Sequence, residues 1–174
     1  MHPARHPRAR RRRGFTLIEV LVVVVIIGVV ALAVTLSVGS SSERRLAREA
    51  ERVQALIGYA CNRAELTGRE IGILVDAHGF GFARLGLDGW QPLPADGELR
   101  TREWPQALRI ELLREERPVD VTQTPGDTPQ LVCFSSGELT PFTLELALGD
   151  TPVTYRIDGE DDGSVELVRV ESSP

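Results

Sequence analysis

Residues 10–20 read RRRRGFTLIEV. Four arginines stop at Gly14-Phe15, an almost unbroken apolar run follows, and a carboxylate, Glu19, stands inside it. From Phe15 to Val38 the only polar side chains are Thr16, Glu19, Thr35 and Ser37. As a helix this run extends about 36 Å at ~1.5 Å per residue, enough for a bilayer core of ~30 Å. Its valines and isoleucines suit a buried strand, but strands are not this long. The run is therefore read as a membrane helix. A carboxylate near its start costs ~2–4 kcal/mol unless something uses it.

Three readings of such a segment compete. A secretory signal peptide would be cut after Ala31-Leu32-Ala33, but its apolar core would exceed the usual length and carry an acid. A twin-arginine signal would use Arg12-Arg13-Gly14-Phe15, with nothing beyond that pair to support it. A signal cut on the cytoplasmic side, after Gly14, leaves the whole apolar helix on the mature chain. Only the third gives both Gly14 and Glu19 a purpose. A glycine before the scissile bond presents no side chain to a protease, and the arginines hold that bond at the cytoplasmic face.

Gly14-Phe15-Thr16-Leu17-Ile18-Glu19, with a basic leader before it and the apolar helix after it, resembles the class III signal of type IV pilins and pseudopilins. That resemblance implies cleavage between Gly14 and Phe15 by a membrane aspartyl protease, N-methylation of Phe15, and assembly roles for Thr16 and Glu19. Further along, Leu66–Ile73, Trp90-Gln91-Pro92-Leu93 and Ser136-Gly137-Glu138-Leu139-Thr140-Pro141-Phe142 resemble the H-type minor pseudopilins of type II secretion. The resemblance implies a structural subunit near the tip of a periplasmic pseudopilus. Its partners would be other pseudopilins, the prepilin peptidase/N-methyltransferase and the inner membrane.

Charge and composition agree with a local anchor. The formal charge is −5, yet residues 1–14 carry six arginines and no acid, so the remainder stands at −5 − 6 = −11. Every basic residue is arginine. The arrangement is that of a cytoplasmic flank. At 174 residues the chain allows one modest domain and an appendage. Cys61 and Cys133 have no metal-ligand spacing. They read first as two small buried apolar residues, or as one disulfide if the folded part lies outside the cytoplasm.

The organisation expected is a leader at 1–14, a transmembrane and assembly helix at 15–38, an amphipathic continuation at 39–68 and a β-rich periplasmic domain at 69–174. Leu46, Ala50, Val53, Ile57, Ala60 and Ala64 alternate four and three apart and form one helical stripe, with Gly68 as the C-cap. Seven or eight strands follow: 71–75, 80–85, 90–93, 108–113, 130–134, 142–148, 153–157 and 165–170. Residues 86–106 and 116–129 are read mainly as surface loops. The fold class is α+β and pilin-like, a long N-terminal helix packed on antiparallel sheet.

No catalytic constellation is evident. His78 sits in a turn and reads as solvated. Asp158, Glu160, Asp161 and Asp162 lack the alternating register of an EF-hand and read as an acidic turn. Trp90, Trp104 and the phenylalanines read as core. No cofactor, metal, nucleic acid or small-molecule substrate is expected. Two rivals stand beside the structural reading. One is a FimT-like minor pilin of type IV pili, implying pilus assembly or DNA uptake, although residues 120–174 hold only Arg156 and Arg169 as bases. The other is an enzyme exported on an ordinary signal peptide.

Overall fold

The computed structural model describes residues 17–122, 126 and 128–171, and the side chains of all of these but 31–40. Its first element, α1, runs Leu17–Thr67. The chain divides into two units, Met1–Val38 and Gly39–Pro174. In the first unit, the described side chains from Leu17 to Val30 are all exposed. Among the described residues no helix is long and apolar enough to cross a membrane.

In the second unit α1 ends where glycine permits a left-handed residue. Gly68 has φ 62°. Its N–H donates to the Glu65 carbonyl at 3.4 Å, and that of Arg69 donates to the Ala64 carbonyl at 3.2 Å. This paired pattern is a Schellman cap, which satisfies carbonyls that the helix leaves open. All six stripe residues are buried, with Leu46, Ala50, Ala60 and Ala64 wholly so.

Ten strands follow among the described residues, all paired antiparallel. Sheet A runs β3 (Gly89–Pro92), β2 (Gly79–Gly86), β1 (Ile71–Val75), β7 (Leu131–Cys133), and β4 (Arg102–Glu103) also pairs with β2. Sheet B runs β10 (Val165–Glu171), β9 (Val153–Gly159), β8 (Phe142–Leu148), β5 (Leu108–Arg114), β6 (Arg117–Val119). Strand β8 shows the period-2 rule plainly: Phe142, Leu144, Leu146 and Leu148 are buried and the residues between them half-buried. One buried cluster joins the helix stripe to side chains of both sheets. At ~1.5–3 kcal/mol for each fully buried aliphatic side chain, it is the dominant stabilising contact set.

Three sequence expectations change. First, β4 and β6 lie inside stretches read as surface loops. The first half of β2 is buried on both faces, because the segment through Leu99, itself 2% exposed, crosses it. Gly79 and Gly81 leave the space: a Cβ at Gly79 would overlap the Arg102 carbonyl, and one at Gly81 would crowd the Thr101 hydroxyl. Second, Phe134 is 39% exposed and not core. Third, Cys61 and Cys133 are not separate thiols; they are bonded, S–S 2.03 Å with Cα atoms 4.8 Å apart. The bond ties α1 to the short edge strand β7.

Candidate assembly site

Glu19 lies in the first turn of α1 and is the acidic residue there. A carboxylate at a helix N-terminus faces the positive end of the backbone dipole. Around it Leu17, Ile18, Val20 and Leu21 are 84%, 70%, 53% and 58% exposed, and every large apolar side chain from Val22 to Val30 is exposed as well. An apolar surface of that extent on every side of a helix requires a lipid or protein cover. Of the site residues read from the sequence, the structure places Glu19 on this surface. Gly14, Phe15 and Thr16 lie outside the described residues.

In the domain, the residues considered for chemistry are held in turns. The Asp76 carboxylate accepts from the backbone N–H of His78 at 2.7 Å and of Gly79 at 2.9 Å, so His78 belongs to an exposed Asx turn. The Trp104 indole donates to the Asp76 carbonyl at 2.8 Å, and its ring sits 4.8 Å from that of Phe80. Beside this turn a cavity of about 390 Å³ is lined by apolar side chains such as Leu74, Phe80 and Phe82, together with His78, Arg102 and Glu103.

The acidic turn is satisfied locally. Asp158 accepts from the Thr143 hydroxyl at 2.9 Å and from Arg156 at 2.8 Å. Asp162 accepts from the Ser164 backbone at 2.9 Å, and hydrogen bonds from Ser164, the side chain first, hold its carboxyl below the usual range. Among the described residues no group of three His, Cys, Asp or Glu is placed to hold a metal ion. Sequence reasoning missed the surroundings of Arg102, whose Nε is buried without a hydrogen-bond partner. The contacts there come from residues about fifty positions apart, and no local spacing signals them.

Two family models match this chain in order. The prokaryotic N-terminal methylation motif covers residues 9–35, and the type II transport protein GspH model covers residues 49–163. The type II secretion system protein H of Aeromonas hydrophila is 32% identical over 181 residues, covering 94% of this chain and 97% of the relative. The protein of the same name from Pseudomonas aeruginosa is 39% identical over 149 residues, 79% of this chain and 84% of the relative. Among solved structures, the minor pseudopilin EpsH of Vibrio cholerae superposes with a TM-score of 0.60 at 23% identity, covering 72% of this chain and 94% of that one. The solution structure of GspH from Escherichia coli gives 0.56 at 26% identity, covering 75% and 92%. The α+β pilin-like fold is thus shared.

Proposed function

The chain belongs to the type II transport protein GspH family and is a minor pseudopilin of type II secretion, and on that premise we propose how its residues are used. The leader is cut between Gly14 and Phe15 by the prepilin peptidase, and the new amine of Phe15 is methylated. The methylation motif spanning residues 9–35 supports this. The helix from Phe15 to Val38 is held in the inner membrane with its N-terminus cytoplasmic and the β-rich domain periplasmic. The subunit then enters the pseudopilus near its tip, joining the tip subunits to the shaft, so that folded proteins are exported across the outer membrane. Its part is mechanical, not catalytic.

The observation that carries this reading is a carboxylate in the first turn of a helix whose apolar side chains are exposed all round. Once that surface is covered by neighbouring helices, Glu19 is desolvated, and an ammonium facing it offsets much of the penalty. We assign that ammonium to the N-terminal amine of an adjacent processed subunit, with Thr16 beside it. Unprocessed chains present no amine at that depth and do not dock. The pilus rival is not favoured: the relatives matched along nearly their whole length are type II secretion proteins. The C-terminal region of the domain, residues 120–174, also has only Arg156 and Arg169 with which to displace counterions from DNA.

Intact-mass measurement on membrane-extracted protein should give a chain beginning at Phe15 with one added methyl group. Glu19→Ala should still be inserted, cut and folded, yet be recovered poorly with the other pseudopilins after crosslinking. Undiminished recovery of that variant would sink the pairing.

A further inference from the structure

The basic residues of the mature chain are not spread evenly over its acidic surface. Arg45, Arg48 and Arg52 stand three and four apart on one face of α1 and line a groove of about 520 Å³. Trp104 and Glu103 form part of the opposite wall, and Glu49 lies at the base, 8% exposed. Arg52 is paired there, donating to Glu49 at 2.7 Å. The other ion pairs among the described residues, Arg156–Asp158 and Arg169–Glu171, lie elsewhere, so Arg45 and Arg48 have no carboxylate of their own. Arg102 lies close by. Burial first, then the like charges of Arg100 and Arg52, holds its guanidinium below the usual range, and its Nε–H stays buried without an acceptor. Arg102 lines the neighbouring cavity, so the groove's own surplus of donors and charge is that of the exposed Arg45 and Arg48, and its one buried carboxylate is already engaged.

The same domain carries the complement at the C-terminal end of α1. Exposed Glu65, Glu138, Glu160, Asp161 and Asp162 gather there. The turn bearing Glu138 places Gly137 against Glu65, Leu139 N–H donates to the Asp161 carbonyl at 3.3 Å, and Gly163 abuts the Gly137 carbonyl. Thirteen residues of helix, about 20 Å, separate Arg52 from Glu65. A cationic groove at one end and an anionic rim at the other form a heterologous pair, the head-to-tail kind of contact by which unlike subunits stack in a filament instead of closing into a dimer.

We propose that the Arg45/Arg48/Arg52 groove is a docking site for carboxylates on the distal rim of the next pilin-like subunit, of which this chain's own rim is an example. Guanidinium forks bind carboxylates two hydrogen bonds at a time, so the groove sets register and polarity as well as attraction. A concave wall containing Trp104 suits inserted side chains better than a flat layer of lipid phosphates. The proposal rests on the reading of this chain as a pseudopilus subunit.

The test exploits the absence of lysine from the sequence. Arg48→Lys keeps the charge and supplies a single side-chain amine, which a zero-length carbodiimide couples only to a carboxylate in direct contact. In membranes of cells carrying the whole secretion apparatus, the amine of this full-length variant should join an Asp or Glu in the domain of a neighbouring pilin-like subunit. Mass spectrometry of the linked peptides would identify the residue. The yield should fall about fivefold at roughly 0.5 M salt, where screening shortens the reach of surface charge. Arg169→Lys serves as the control and should couple only within its own chain, to Glu171. Linkage from Arg48→Lys confined to Glu49 or Glu103 of the same chain, as expected if lipid phosphates fill the groove, overturns the proposal. A neighbour linkage indifferent to salt does so too. If the unmodified chain is not recovered with other pseudopilins at all, the underlying reading has failed. If it is recovered while the groove amine links to no neighbour, only the groove proposal has failed.

Discussion

Removing the Cys61–Cys133 bond should weaken the domain by an amount set by the loop it closes. The two residues are 72 apart in sequence. Loop-closure entropy for that separation is about 15 cal/mol/K, which at room temperature gives about 4.4 kcal/mol as an upper figure. Both side chains are buried, Cys133 completely and Cys61 at 9% exposure. The reduced thiols would therefore still pack as small apolar groups, and nearly all of the loss should come from the crosslink. A domain of this size unfolds with an entropy of about 270 cal/mol/K, so the full effect is about 16 °C in Tm and half the effect about 8 °C. The assay is thermal unfolding of a soluble piece beginning at Glu43, with and without reductant, beside the Cys61→Ala/Cys133→Ala double variant. Hydrogen exchange should locate the first loosening at β7, which has only three residues and, beyond its pairing with β1, a single bridge from Cys133 to Leu139. Two alkylation adducts on the unreduced protein, or a melting point that reductant leaves unchanged, would refute the reasoning.

Deleting residues 1–42 should yield a folded, monomeric, β-rich protein, because the stripe from Leu46 to Ala64 is covered within the domain; size-exclusion and a cooperative melt check this. Gly159→Ala should cost about 1–3 kcal/mol in urea unfolding, since the added Cβ would overlap the Phe142 ring on the paired strand β8. Gly14→Val should leave the leader uncut while the chain still partitions with membranes, because insertion depends on the apolar run and not on the glycine. A processed N-terminus in that variant would contradict the proposed cleavage.

Much of this protein is legible along the chain because the signals are periodic or contiguous. The apolar run with Glu19 inside it, the four-and-three spacing of the helix stripe and the alternation in Phe142–Leu148 each follow from the geometry of one element. The glycine cap at Gly68 is local as well. The tertiary structure decided what depends on distant residues meeting. Strand β4 forms only because Gly79 and Gly81 open the face of β2 to a segment about twenty residues further on. Cys61 finds Cys133 because α1 and β7 are brought side by side, and neither cysteine's neighbours in sequence announce it. Arg102 is placed near the helix arginines by the same crossing segment, which turns a charged helix face into a groove. Sequence spacing specifies which face of each element is apolar. Which faces meet is settled by packing the whole domain, where burial of a shared core outweighs any local preference of the loops between.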